Sequence, residues 1–326
     1  MRSYLISRIA QLVLTFLVIV TALFFLFRLG LPDPTSALIT EGLSQEDIQR
    51  TRERFGLDLP LWQQYFVFLG NLFTGEFGTS FHYRAPVQAI ALDRMLNTLS
   101  MMLPAILLAY TLGPLLGVLL TWKRGKASET AGITSALFLR SAPVFWTGML
   151  GLFVFGIWLG WLPTSGMRTL PYEATGFFDK IFTIDFLRHL IMPMMVVAAY
   201  YIALPMLIMR NTMLEVIGDD FIEFARARGF SEARTMYRHA ARNALLPVVT
   251  QAAVTTGLAV GGQVVVEVVF SWPGLGREMF QAVQTSDYPM AQATFIFMAL
   301  LILLLNFFVD LVYGRLDPRV TTTSGR

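Results

Sequence analysis

The chain alternates between long apolar runs and short charged stretches. A helix needs roughly 20 residues to cross a hydrocarbon core of about 30 Å. The continuous runs lack the alternation of barrel strands, and a backbone in lipid must satisfy its own hydrogen bonds, so helices are predicted. The pattern predicts an all-α polytopic membrane protein with six transmembrane helices, over residues 9–27, 95–122, 141–167, 190–209, 243–266 and 288–309. An alternative start for the third helix lies near Ala131, which would place Arg140 close to an interface.

Composition supports a membrane setting and excludes several kinds of chemistry. Of 326 residues, 55% are hydrophobic and only 14% are charged, which is too apolar for an ordinary soluble fold. The absence of cysteine excludes disulfides and thiolate metal sites. His82, His189 and His239 are scattered without metal-ligand spacing, so no metal site is predicted.

Lysine and arginine collect in the loops on one side of the predicted helices. They precede the first helix, follow the second, fill the loop between the fourth and fifth, and follow the sixth. The positive-inside rule therefore predicts that both termini are cytoplasmic. The segment 30–94 then lies outside the cytoplasm, where we predict a helix over 44–55, a second over 62–73, and a third that begins near Pro86 and can run into the second transmembrane helix.

The densest cluster of charges lies in residues 219–247, between two apolar runs. Asp219 and Asp220 suit the positive start of a short helix, which Gly229 ends. Ser231 is placed to cap a second helix. The sequence thus predicts a helix-turn-helix on the cytoplasmic membrane surface.

Both predicted helices have an apolar side. In the first it is formed by Phe221, Ile222, Phe224 and Ala225. The apolar positions of the second helix follow the i, i+3, i+4 spacing, beside a stripe of arginines. The apolar set is Ala233, Met236, Tyr237, Ala240, Ala241, Ala244 and Leu245, and the arginines are Arg234, Arg238 and Arg242.

Two interpretations of this charged segment remain open on periodicity alone. One is a pair of interfacial helices with snorkelling arginines. The other is a docking site for a soluble protein, which the mixture of acidic residues and arginines favours over anionic lipid.

Glu223-Phe-Ala225, followed by Gly229 and later by Pro247, resembles the EAA signature of binding-protein-dependent ABC importer permeases. The chain departs from that signature at Phe224, where alanine is usual, and in the 18 positions between Gly229 and Pro247. The longer spacing is similar to the oligopeptide, dipeptide and nickel permease subfamily. Stretches that resemble the same subfamily lie at 55–61, 75–80, 86–87, 267–276, 287–289 and 316–319.

The resemblance implies a type I ABC importer permease fold in the cytoplasmic membrane of a bacterium or archaeon. It implies a transmembrane helix at 1–29, an extracytoplasmic segment at 30–94, a permease core at 95–314 with a coupling loop at 210–246, and a cytoplasmic tail at 315–326. The expected partners are a second homologous permease subunit, two cytoplasmic ATPase subunits, an extracytoplasmic solute-binding protein and membrane lipid, without nucleic acid. The expected cargo is peptides or similar small solutes.

The resemblance also assigns residues to coupling with the ATPase subunits. They are Asp219, Asp220, Glu223, Ala225, Gly229, Arg238 and Pro247. The chain itself shows no phosphate-binding loop, because Leu120 stands where the first glycine is needed before Gly125-Lys126, and Ala127 replaces serine or threonine. We therefore expect no enzyme activity and no bound cofactor in this chain, with ATP and Mg²⁺ used by the partner subunits.

Polar residues inside the predicted helices are candidates for the translocation pathway or its gate, because each is costly in hydrocarbon. They are Asn97, Gln251, Gln263, Glu267, Asn306 and Asp310. The alternative is that they hydrogen-bond neighbouring helices. For the whole chain, an autonomous secondary transporter and a structural membrane scaffold are the remaining alternatives.

Overall fold

A computed structural model describes residues 2–29, 46, 49, 53, 58–171, 176–261 and 264–316. These residues form helices, with a single isolated β-bridge between Thr79 and Pro86 in the described part. The all-α prediction is confirmed. The helices are α1 Arg2–Leu29, α2 Leu61–Thr74, α3 Val87–Trp122, α4 Ala127–Ser141, α5 Val144–Gly151, α6 Phe177–Ile181, α7 Ile184–Tyr201, α8 Ala203–Val216, α9 Asp220–Ala227, α10 Glu232–Arg234, α11 Ala241–Gly261, α12 Val264–Val269, α13 Leu275–Gln284 and α14 Tyr288–Leu316, with π-helical turns at Leu152–Trp158 and Thr235–Ala240.

Several helices are long and apolar enough to cross a membrane. Within the described residues they are Leu5–Leu29, Val87–Trp122, Ile184–Tyr201 and Tyr288–Leu311, and a fifth span results if the bent pair Ala127–Ser141 and Val144–Trp158 counts as one. The number six therefore stays a prediction. The region predicted as the fifth helix, 243–266, corresponds largely to α11, whose polar residues include Asn243, Thr250 and Gln251.

The structure has other bounds than those predicted for the third helix, 141–167 with an alternative start near Ala131. The chain bends by 101° between α4 and α5, where Pro143 cannot continue the preceding helix. Residues 127–141 form a helix of their own, and helical structure after the bend ends at Trp158. The predicted fourth helix begins earlier than expected, at Ile184, where Thr183 accepts a hydrogen bond from the backbone N–H of Phe186 and caps α7.

The segment before α3 agrees with its prediction where it is described. Helix α2 covers the predicted second helix and ends at Gly75, whose φ of 76° favours glycine. The predicted third helix is continuous with α3, which starts directly after Pro86. The helix predicted over 44–55 lies mostly outside the described residues.

The chain divides into two compact units. The first comprises Met1–Thr98 and Pro273–Arg326, and the second comprises Leu99–Trp272. In the first unit α1 and α14 run antiparallel, with Arg8 and Asp310 paired at 3.1 Å at one end and the rings of Phe27 and Tyr288 5.5 Å apart at the other.

A second group of contacts in the first unit joins the loop before α3 to α13 and α14. The Asp287 carboxylate accepts hydrogen bonds from Ser80 Oγ and from the backbone N–H of His82 (3.1 Å). Arg94 Nε and Tyr83 Oη donate to Glu278 Oε2 at 3.0 and 3.2 Å. Burial, together with the charge of Glu278, raises the pKa of Tyr83.

The second unit contains the charged segment. One buried apolar cluster joins α3, α8, α9, the π-helical turn 235–240 and α11. Its members are Val118, Met209, Met213, Ile222, Met236, Ala240, Ala241, Ala244 and Val248.

Candidate coupling site

Helix α9 begins and ends as the sequence predicts. Asp219 has extended backbone angles at the N-cap position, and Asp220 and Glu223 lie in the first turn, where negative charge suits the helix dipole. After the helix, Gly229 adopts a φ of 77°, its N–H bonds the carbonyl of Arg226, and the N–H of Phe230 bonds the carbonyl of Ala225. This pair of bonds is the Schellman motif, which fixes the direction in which the chain leaves α9.

The turn after α9 is held by side chains on both sides. Ser231 Oγ accepts a hydrogen bond from the N–H of Arg234 at 3.4 Å, which confirms the predicted cap. Arg226 and Glu232 form an exposed ion pair with a shortest distance of 2.8 Å. The hydrogen bonds to Glu232 raise the pKa of Arg226.

The buried face of α9 is narrower than predicted. Ile222 is completely buried and Ala225 nearly so, whereas Phe221 is 39% exposed and Phe224 is 60% exposed. Residues 222 and 225 are three apart and share one face, but positions 221 and 224 lie on a neighbouring face that the described chain leaves open. The guanidinium of Arg228 lies 4.7 Å from the centre of the Phe224 ring.

The predicted second helix is not a single α-helix. It consists of the short α10, a π-helical turn at Thr235–Ala240 and α11. A π-helical turn contains more residues per turn than an α-helix, so positions that follow α-helical spacing leave the shared face. Met236, Ala240, Ala241 and Ala244 are buried as predicted, whereas Ala233, Tyr237 and Leu245 are exposed.

The arginines of this segment are exposed. Arg234, Arg238 and Arg242 all face outward, and Arg234 lies 4.8 Å from the ring of Phe230. Pro247 lies inside α11. Of the residues assigned to coupling, all are exposed except Ala225, which is buried.

The acidic side chains of α9 are available to a partner. Asp219, Asp220 and Glu223 are exposed, and within the described part of the chain their carboxylates make no hydrogen bond or ion pair. Helix α9 thus presents carboxylates and Phe224 outward while Ile222 attaches it to the core of the second unit.

An ion pair that the sequence pattern could not reveal connects α8 to the start of α4. Arg210 donates from Nε to Glu129 Oε1 at 3.0 Å and also from its terminal nitrogen to the same oxygen. The other carboxylate oxygen of Glu129 accepts the N–H of Gly125 at 2.7 Å. Arg210 and Glu129 are 81 residues apart, so no local spacing relates them.

Two glycines of α3 lie against the backbone of α8. A methyl group added at Gly117 would lie 2.6 Å from the carbonyl oxygen of Met206, and one at Gly113 would lie 2.8 Å from Cγ of Pro205. The spacing G-x-x-x-G is a sequence signal for close helix approach. The candidate pathway residues predicted from the sequence are polar, so they do not include Gly113 and Gly117.

The candidate pathway residues have different surroundings in the two units. In the first, Asn97 is buried and donates to Asp93 and to the carbonyl of Pro273, while Asn306 is partly buried and Asp310 pairs with Arg8. In the second, Gln251 donates to Thr255 Oγ1 at 3.2 Å, and Glu267 is buried. Gln263 lies outside the described residues, and the pathway role of all six stays a prediction.

The long apolar helices define a polytopic membrane protein, and comparison with known proteins identifies the family. Residues 113–322 match the family described as "Binding-protein-dependent transport system inner membrane component", and residues 1–102 match its N-terminal component. The chain belongs to this family of ABC importer permease subunits. Membership decides against an autonomous secondary transporter and against a purely structural scaffold.

Relatives cover nearly the whole chain. It is 37% identical over 334 aligned residues to the di/tripeptide transport system permease protein DppB of Pseudomonas aeruginosa, with 98% of this chain and 99% of the relative covered. It is 36% identical to the oligopeptide transport system permease protein AppB of Bacillus subtilis, with the same coverage.

A solved structure supports the fold. The inward-facing MetNI methionine ABC transporter has a chain that matches with a TM-score of 0.51 at 20% identity. The match covers 70% of this chain and 96% of that one.

Proposed function

We propose that this chain forms half of the translocation pathway of an ATP-driven peptide importer. The names of the relatives support peptides as the cargo, since one is a di/tripeptide permease and another an oligopeptide permease, each aligned over 98% of this chain. A second homologous permease would form the other half, and an extracytoplasmic solute-binding protein would deliver the peptide.

The exposed face of α9 carries the proposed link to the energy source. Exposed carboxylates at Asp219, Asp220 and Glu223 accompany an exposed aromatic ring at Phe224, which is a combination suited to a protein partner. We propose that two ATPase subunits contact this region, one through each permease subunit. ATP and Mg²⁺ would be bound by those partners, consistent with the lack of a phosphate-binding loop in this sequence.

Movement of the ATPase subunits would be transmitted through contacts inside the second unit. Ile222 lies in the same buried cluster as Met213 of α8 and Met236 of the π-helical turn, so a displacement of α9 strains both neighbours. Rigid helices would convert that displacement into alternating access, with Arg238, Gly229 and Pro247 in the same coupling region. Asn97, Gln251, Gln263, Glu267, Asn306 and Asp310 remain the residues proposed for the pathway or gate.

The proposed location is the cytoplasmic membrane of a bacterium or archaeon, with both termini cytoplasmic. The ion pair between Arg8 near the start of α1 and Asp310 near the end of α14 supports termini on one side of the membrane. The distribution of lysine and arginine supports the cytoplasm as that side.

The substrate proposal is tested by reconstituting the chain with its partner permease, ATPase subunits and binding protein in proteoliposomes. Uptake of radiolabelled di- and tripeptides should require ATP and the binding protein and should be competed by unlabelled peptide. A labelled sugar and a nickel chelate serve as controls and should not accumulate. Uptake of either control in place of peptides would contradict the proposal.

A further inference from the structure

Helix α2 has three distinct faces. Trp62, Phe66, Gly70 and Phe73 follow helical spacing along one stripe, and their aromatic side chains are 63%, 64% and 76% exposed. Tyr65 and Phe68 lie on the face that contacts α1. The polar side chains of the helix, such as Asn71, lie on the remaining side, so the exposed stripe is purely apolar.

Contacts with α1 set the position of α2 relative to the membrane. Tyr65 Oη and Thr21 Oγ1 are 2.7 Å apart, and the rings of Phe24 and Tyr65 have centres 5.3 Å apart. Arg28 lies in the last turn of α1, which is long and apolar enough to cross a membrane. Thr21 lies seven residues before Arg28, a distance of roughly 10 Å along a helix axis. The contacts therefore lie inside the apolar length of α1 and not beyond its end.

The size and composition of α2 fit insertion into one leaflet. Its 14 residues extend about 21 Å, too short to cross a hydrocarbon core of about 30 Å. No charged residue occurs between Asp58 and Glu76. Interfacial helices bury their apolar face about 5–10 Å into the boundary between headgroups and acyl chains, where tryptophan is favoured.

We propose that α2 lies in the membrane leaflet reached by the C-terminal end of α1, with Trp62, Phe66 and Phe73 in contact with lipid. The exposed apolar residues of α1 include Val18 and Leu26, and α2 packs against this helix through Tyr65 and Phe68. Exposed apolar surfaces of this kind are unfavourable in water, and the exposed residues of α1 face the bilayer if α1 spans it. Part of the N-terminal segment would then lie in the membrane and would restrict the lateral movement of α1. This inference is independent of the transported substrate.

The absence of cysteine from the chain permits a direct test by single-cysteine spin labelling. The variants F66C and F73C, each labelled in the complete importer in nanodiscs, report accessibility to oxygen, which partitions into lipid, and to a water-soluble nickel chelate. V18C on α1 serves as the lipid reference and T285C, after α13, as the aqueous reference. Labels at 66 and 73 should match V18C, with high oxygen and low nickel accessibility.

Two outcomes would overturn the proposal. Nickel accessibility equal to that of T285C would place the stripe in water, and protection from both reagents would show that protein covers it. A second measurement does not depend on the labels: lipids brominated on their acyl chains should quench tryptophan fluorescence less in W62F than in the unmodified chain. Equal quenching in the two proteins would also contradict lipid contact.

Discussion

At the scale of single residues, glycine positions, which have no side chain, matter as much as positions with a polar or charged side chain. Gly113 and Gly117 allow α3 to approach the backbone of α8, which leads directly to the charged segment. Phe224 illustrates the opposite case. The EAA signature has alanine there, but the position is exposed, so the larger ring displaces nothing within the described chain. Phenylalanine is tolerated at position 224 because the position is exposed, which the EAA signature alone does not reveal.

The substitution G117A should destabilise the chain by about 1–3 kcal/mol, because the added methyl group must push against the carbonyl oxygen of Met206 at 2.6 Å and Cβ of Met209 at 2.7 Å. G70A is the matched control, since a methyl group in that helix meets nothing within 4 Å and alanine favours helix. Equilibrium unfolding in detergent micelles measures both. Equal stability of G117A and the unmodified chain would show that the two helices are not in close contact.

At the scale of elements, helix caps and close contacts determine the direction of the chain in the charged segment 219–247. The sequence correctly predicted α9, its end at Gly229 and the cap at Ser231, because these depend on local backbone chemistry. It did not predict the π-helical turn at Thr235–Ala240 or the bend at Pro143. A regular apolar period does not report a π-helical turn, and the continuous apolar run concealed the break that Pro143 introduces.

The ion pair between Glu129 and Arg210 should link the start of α4 to α8. E129Q and R210Q should each lower the midpoint of thermal unfolding in detergent, because each leaves the other side chain without its oppositely charged partner. The double variant should lose less than the sum of the two, since the second substitution removes no further interaction. Additive losses would mean that the two side chains do not interact.

At the scale of the whole molecule, the expected division of labour between this chain and ATPase subunits follows from two features of its sequence: it has long apolar runs and an EAA-like segment, and it lacks a phosphate-binding loop. Apolar runs, charge distribution and the EAA-like segment together predicted a membrane permease subunit, and family membership along both halves of the sequence confirms it. The exact set of spans was harder to predict, because the break between α4 and α5 and the polar residues of α11 obscure where helices cross. The residues that line the pathway were harder still to predict, because polar residues in helices serve packing and transport alike.

The central claim is that the exposed carboxylates of α9 couple this chain to ATP hydrolysis by its partners. The most direct test is the number of peptides imported per ATP hydrolysed in proteoliposomes that contain the complete importer with E223A. Glu223 makes no hydrogen bond or ion pair within the described chain, so the variant should insert and fold normally. E76A, which removes another exposed carboxylate in the first unit, is the control.

The account predicts that E223A lowers the ratio of peptide to ATP by roughly tenfold, which corresponds to the loss of a charged contact worth about 1.4 kcal/mol, while E76A keeps the ratio of the unmodified importer. An unchanged ratio in E223A would contradict the coupling role assigned to the exposed carboxylates of α9.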